Sequence, residues 1–295
     1  MTTSIPLVPK SHIWQWQGQT IRYQTAGCQG MPIILIHGFG ASSDHWRHNL
    51  PVLAATNRVY AIDLLGFGQS AKPTPGKPFD YTFSTWGDQI AAFCQEVVGN
   101  GVVLVGNSIG CIVALQTAVT HPQLIHGIGM INCSLRMLHD RKLSAAPWYR
   151  RIGSRWLQQL LSIRPLGHFF FRQIAQPQTI KKILLQAYGH PEAVTDELVD
   201  LILQPARDAG AADVFLAFIN YSHGPLPEDL LPQISCPILI LWGTADPWEP
   251  INLGQQFSKY ASVNAFIPLE GAGHCPHDEK PEQVNSILID WIRQL

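Results

Sequence analysis

The 295 residues are 46% hydrophobic, enough for an extensive core, and hold 20 Lys plus Arg against 21 Asp plus Glu. A net charge of −1, with only 14% charged residues against about a quarter in ordinary globular chains, gives nucleic acid no electrostatic footprint. Cys28, Cys94, Cys111, Cys133, Cys236 and Cys275 are scattered without a C-x-x-C pair, which reads as reduced thiols and not as a disulfide framework.

The chain opens without the charged-then-apolar pattern of a signal peptide, and no run of about 18 apolar residues follows. The expected location is therefore the cytoplasm or a membrane surface, without a spanning helix. Residues 13–17 and 20–25 alternate and are separated by Gly18, as in a β-meander. Buried strands are predicted at 33–36, 58–64, 102–105, 128–131, 238–242 and 265–269, with helices at 85–98, 111–120 and 281–293. Continuous apolar strands alternating with helices predict an α/β fold with a mostly parallel sheet covered on both faces. From Ser134 to Pro232 the alternation fails and helical periodicity takes over. That predicts a core of residues 1–134 and 232–295 with a helical cap at 135–231. Residues 135–190 hold ten Lys or Arg and one acid, Asp140, whereas residues 191–230 hold eight acids and one Arg.

Gly106-Asn107-Ser108-Ile109-Gly110 sits between the strand 102–105 and the helix from Cys111. The glycines leave room for a sharp turn that would lift the Ser108 hydroxyl out as a nucleophile. In such an architecture the acid and the histidine follow in that order. Asp246 comes after the strand 238–242, and His274 comes 28 residues later, after Gly271-Ala272-Gly273. His274 would act as base and Asp246 would orient it. Glu249 is close enough to Asp246 to substitute, Asn132 has no charge to offer, and His277 lacks the small-residue turn that precedes His274. His274, Cys275, His277 and Asp278 fit no zinc spacing, so no metal or cofactor is expected. The backbone N–H groups of Ile109 and of Phe39, in His37-Gly38-Phe39-Gly40, are the candidate oxyanion donors. His37 reads as a structural hydrogen-bonder and Asp63 as a turn-former.

At these residues the sequence resembles the α/β-hydrolase superfamily: HGFG, DLLGFGQS, GNSIG, WGTADP and GAGHCP fall in its order. Asn107, the Trp86 helix ending in CQEVV, and Asn132 look like the pheophytinase and chlorophyll dephytylase branch, although Cys111 stands where that branch often has Gly. The resemblance implies an α/β-hydrolase fold and hydrolysis of a large apolar ester, at best the phytyl ester of chlorophyll or pheophytin, with a thylakoid surface as one location. A serine at 108 argues against dehalogenases and epoxide hydrolases, which use Asp there. A general lipase or esterase and a C–C bond hydrolase would share the residues, and a ligand receptor could retain the same pocket. Trp148, Trp156, Phe169, Phe170, Phe215 and Phe218 are the candidate channel wall for the apolar substrate. The aromatic, basic stretch 147–182, with Arg150, Arg151, Arg155, Arg172, Lys181 and Lys182, could rest on an anionic membrane.

Overall fold

The computed structural model describes residues 8–295 apart from 77, 100, 145–152, 154, 155 and 157. Eight strands form one sheet: β1 (Lys10–Trp16), β2 (Gln19–Ala26), β3 (Pro32–Ile36), β4 (Arg58–Ile62), β5 (Val102–Asn107), β6 (Ile125–Ile131), β7 (Ile238–Gly243) and β8 (Val263–Leu269). Their order is β1-β2-β4-β3-β5-β6-β7-β8. Only the β1–β2 and β2–β4 pairs are antiparallel; the rest run parallel.

The period-2 geometry of a strand explains why the central segments are apolar throughout. Ile34, Ile36, Leu104, Ile128 and Ile240 face one core, which the helices α1 (Phe83–Phe93) and α2 (Ile109–Thr120) cover with Trp86, Ile90, Ile112 and Leu115. Ile33, Leu35, Val103, Val105 and Leu239 face the other, beneath Trp46, Leu50 and the C-terminal helix. The edge strand β1 buries Trp14 and Trp16 and leaves its other face open. The predicted helix 85–98 is α1 followed by a π-helical turn, Cys94–Val98, which closes on Gly99 at φ 75°.

Between β6 and β7 every regular element among the described residues is helical: α3 (Asp140–Ser144), α4 (Arg164–Ile174), α5 (Pro177–Ala187), α6 (Asp196–Ala206), α7 (Ala211–Ile219) and shorter turns. The C-terminal helix is α8 (Pro281–Ile292). No helix among the described residues is long and apolar enough to cross a membrane.

The end of α5 is stitched to the loop after β8. The Ala187 carbonyl accepts from the His274 N–H at 2.8 Å, and Glu279 accepts from the N–H groups of Gly189 and Gly273 at 2.7 and 2.9 Å. Beside this seam the buried Tyr188 hydroxyl donates to Asp278 Oδ2 at 2.7 Å and lies 2.9 Å from His45 Nε2. Burial pushes His45 down to about 4, so it meets Tyr188 as a neutral ring. Tyr188→Phe would leave Asp278 and His45 each short of a buried partner. It is expected to cost about 1–3 kcal/mol, and so to lower the melting temperature by about 2–6 °C in calorimetry. An unchanged melting temperature would mean that this junction does not hold the insert to the sheet.

Candidate active site

Ser108 is the residue between β5 and α2, at φ 54° and ψ −117°. A left-handed φ costs a side-chain-bearing residue free energy and persists only where the surroundings impose it. Here they do. A Cβ on Gly106 would collide with the Gly110 carbonyl, and one on Gly110 with the Ile36 carbonyl. Glycine at both positions therefore lets α2 approach β3 and close the turn. On the other side of the turn Gly38 packs so near that a Cβ there would stand 2.9 Å from Asn107 Oδ1 and 3.3 Å from Ser108 Cβ. This holds the HGFG loop against the serine.

That loop is locked by His37. Its Nδ1 lies 2.7 Å from the Gly38 carbonyl and its Nε2 accepts from the Leu64 N–H at 3.1 Å. Burial lowers its pKa, so the ring is a neutral strut. Asp63 serves the neighbouring turn by accepting from the N–H groups of Ser43 and Gln69 at 2.6 and 2.7 Å. Ile109 opens α2, so its N–H has no helical acceptor.

Asp246 follows β7 and His274 follows β8, and their side chains meet: His274 Nδ1 lies 2.8 Å from Asp246 Oδ2. A carboxylate accepts only, so the proton is on Nδ1 and Nε2 is left as the acceptor. The same Oδ2 accepts from Asn132 Nδ2 at 2.7 Å, while Oδ1 accepts from the N–H groups of Trp248 and Glu249 at 2.9 and 3.1 Å. Burial on its own would raise the Asp246 pKa. The bonds from His274, Asn132 and Glu249 outweigh it and hold the carboxyl below its usual 3.8. The Asn107 side-chain amide completes the tie between the serine turn and the histidine loop, donating to the Ile131 and His274 carbonyls at 3.2 and 3.1 Å. Trp248 lays its ring 5.0 Å from the His274 ring.

The rival residues separate cleanly in space. Glu249 does not face His274 Nδ1; its carboxylate accepts from the Leu135 N–H at 3.0 Å. His277 is fully buried, packed on Trp46 at 4.3 Å and 3.3 Å from His45 Nδ1. The sequence marks Asn132 as an uncharged residue after a strand and as part of the resemblance, without a role in the site. In the fold it is a hub, at φ 44°, with Oδ1 accepting from the Gly243 N–H at 3.0 Å and Nδ2 reaching Asp246 and the Gly273 carbonyl. Besides its place in the resemblance, its sequence signal is a polar residue directly after an apolar strand at the sheet's carboxyl edge, where sites gather.

Of the aromatic residues, Phe218 and Phe215 on α7 lie 4.6 and 5.7 Å from the Phe39 ring, and Phe170 lies 6.5 Å from Phe215. Phe171, another of the aromatic residues that the sequence offers in this stretch, is nearer to Phe215 at 5.2 Å. Trp156 and Phe169 are 69% and 57% exposed and stand at the surface of the insert. Trp148, like Arg150, Arg151 and Arg155, lies outside the described residues.

A family model described as the alpha/beta hydrolase family matches residues 33–287. The chain belongs to the alpha/beta hydrolase family. It is similar to the chloroplastic pheophytinase of Arabidopsis thaliana, 27% identical over 93% of this chain and 64% of that protein, so it spans less than two thirds of that relative. It is 29% identical to a pimeloyl-[acyl-carrier protein] methyl ester esterase of Aeromonas hydrophila subsp. hydrophila, over 90% of this hydrolase chain and 96% of the esterase. Among solved structures, an epoxide hydrolase superposes with a TM-score of 0.80 at 18% identity, over 97% of this chain and 99% of that one. That likeness is one of fold.

Because the Asp246 carboxyl is held below 3.8, its contribution to stability is full above that pH and is lost as pH falls through the lower folded value. The difference in melting temperature between wild type and Asp246→Asn is therefore expected to be constant from pH 7 to 5 and to shrink below pH 4. A difference that stays constant down to pH 2.5 would contradict the hydrogen-bonded carboxylate.

Proposed function

We propose that this hydrolase is a serine esterase in which Ser108 is the nucleophile, His274 the base and Asp246 its orienter, acting on a large apolar ester. The observation that carries the reading is the 2.8 Å His274–Asp246 bond at the sheet edge where the strained Ser108 turn projects. Ser108 Oγ attacks the ester carbonyl carbon and its proton passes to His274 Nε2. The N–H groups of Ile109 and Phe39 stabilise the oxyanion that forms on the carbonyl oxygen. The imidazolium then protonates the departing alkoxide, which leaves as the alcohol. Water, deprotonated by the same imidazole, cleaves the acyl-enzyme to acid and free serine. Asp246 keeps the tautomer fixed and offsets the charge of the imidazolium.

The substrate reading is the phytyl ester of chlorophyll or pheophytin. The similarity to a pheophytinase supports it, as does the aromatic wall of Phe39, Phe67, Phe215 and Phe218 beside the serine turn, apolar and ring-rich as a long isoprenoid chain requires. The insert between residues 135 and 231 acts as its cap. Purified protein incubated with pheophytin a or chlorophyll a in detergent is expected to release phytol and the dephytylated pigment, resolved by chromatography. Ser108→Ala is expected to reduce release by about four or more orders of magnitude and to abolish fluorophosphonate labelling. Hydrolysis of short 4-nitrophenyl esters with no phytol release would move the substrate to a general ester; labelling that survives Ser108→Ala would place the nucleophile elsewhere.

The cap also has a lipid-facing reading. Trp156, Leu160, Ile163, Leu166, Phe169 and Phe170 are all exposed apolar residues within one stretch, more than scattered surface hydrophobics explain. Leu166, Phe169 and Phe170 share one face of α4, with Arg172 exposed on the same helix. Wild type is expected to co-sediment with vesicles containing phosphatidylglycerol, and Leu166→Asp/Phe169→Asp to stay in the supernatant at unchanged turnover of a water-soluble ester. Equal sedimentation of both proteins would remove the membrane contact from the reading.

A further inference from the structure

One carboxyl at the site has no part in the mechanism above. Glu249 is 8% exposed, as buried as Asp246, yet its carboxylate bonds the Leu135 N–H and not His274, and it lines a cavity of about 240 Å³ together with Trp248, whose ring lies 5.0 Å from that of His274. Met137, Leu138, Phe218 and Ile219 give that cavity apolar walls. Its other charged or titratable members are already engaged. Arg136 donates to the carbonyls of Pro225, Tyr221 and His223 at 2.9, 2.7 and 2.8 Å and lies over the Phe83 and Tyr221 rings. His139 is 3.0 Å from the Gly224 carbonyl through Nε2 and accepts from the Arg141 N–H through Nδ1. The cavity thus holds a carboxyl with no cation turned toward it, and a substrate carboxylate would find no counter-charge there.

We propose that this cavity is a specificity subsite for a neutral, mainly apolar part of the ester that carries a carbonyl oxygen, and that Glu249 anchors that oxygen with a hydrogen bond from its carboxylic acid. The proposal rests on the serine-esterase reading above and adds which esters are preferred. Glu249 is suited to donate. Burial pushes its carboxyl up to about 7, against the opposing bond from the Leu135 N–H, so below neutrality it holds the proton a carbonyl needs. The ionisable groups that act on it are Asp246 and His274 from the loops after β7 and β8 and Cys133 from the chain after β6, while Arg136, His139 and Tyr221 line the same cavity but are turned to backbone groups of their own. Glu228, which also faces Cys133, is paired with Lys142 at 2.8 Å. A site that buries a donor rewards a substrate with the matching acceptor and penalises one without it.

The test compares matched esters with and without a ketone, placed on the acyl side (4-nitrophenyl 4-oxopentanoate against pentanoate) and on the alcohol side (4-oxopentyl against pentyl hexanoate, followed by acid release). At pH 6 wild type is expected to favour the ketone ester of one pair by about tenfold in kcat/KM, through KM. The preference should fade as pH rises through 7 and Glu249 loses its proton. Glu249→Gln keeps the volume, the acceptor for Leu135 and an N–H donor, so its preference should persist but become flat with pH. Glu249→Met, which removes the donor, should bring the ketone-to-alkyl ratio to about one at every pH. A second readout is independent of turnover. A raised carboxyl pKa gives stability that is complete below its unfolded value and lost as pH rises through 7, so the melting temperature of Glu249→Gln should gain on wild type between pH 6 and 8.

No ketone preference in either pair, or the same pH-dependent preference in wild type and Glu249→Gln, overturns the subsite. So does a wild-type protein that Ser108-directed fluorophosphonate labels but that turns over neither ketone ester. If labelling itself fails, the serine-esterase reading falls and the subsite falls with it.

Discussion

A serine held at φ 54° at the end of a buried strand is tenable only because hydrogen is the sole substituent at positions 106 and 110. Through that one turn the separate parts of the site acquire fixed distances. Gly110 brings α2 onto the Ile36 and His37 carbonyls, which fixes the serine relative to the loop carrying Phe39. Asn107, one residue before the serine, spends its amide on Ile131 and His274 carbonyls. The ends of β5, β6 and β8 are thereby tied at a single side chain. The turn and the histidine loop cannot move independently while these bonds hold, which is the pre-organisation that charge stabilisation in a water-poor site requires.

The same loop forms the floor beneath the helical insert. Phe39 receives Phe218 and Phe215 from α7 on its outer face, while His37, on the inner side, fixes the backbone as a neutral ring. Lifting α7 would uncover Phe39, and rearranging Phe39 would unseat α7. Elsewhere in the insert, α5 runs into the His274 backbone and the Glu279 bonds. The insert therefore contacts the Phe39 loop and the histidine loop at separate places, and its packing bears on both.

The strands, and the places of Ser108, Asp246 and His274 just beyond three of them, were legible because each is written locally. An apolar run stands before each residue, and small residues stand around it. What could not be read depends on pairs far apart in the chain. Asn132 and Asp246 are 114 residues apart, His45 and Tyr188 are 143 apart, and no periodicity links either pair. The aromatic residues of the insert divide for a similar reason. Phe215 and Phe218 sit three apart on α7 and both reach Phe39, whereas Phe169 and Phe171, two apart on α4, fall on opposite faces, one exposed and one buried. An aromatic count gives the material of a wall, and only the packing says which rings form it.

Asp246 and Glu249 show why burial alone does not set the chemistry of a site. Both are 8% exposed and lie three residues apart on one loop, yet the first is held below 3.8 and the second is raised to about 7. The difference lies in the donors. Asp246 receives four hydrogen bonds, two of them from side chains aimed at one oxygen. Glu249 receives the Leu135 N–H and a bond from the Ser134 side chain. Desolvation disfavours the charged form at both positions, and only at Asp246 is there enough compensating polarity to reverse it. One short loop thus presents an anion to an imidazole and, on its other side, an acid that can keep its proton near neutrality. Two carboxyls driven apart in this way can take separate tasks in a single site.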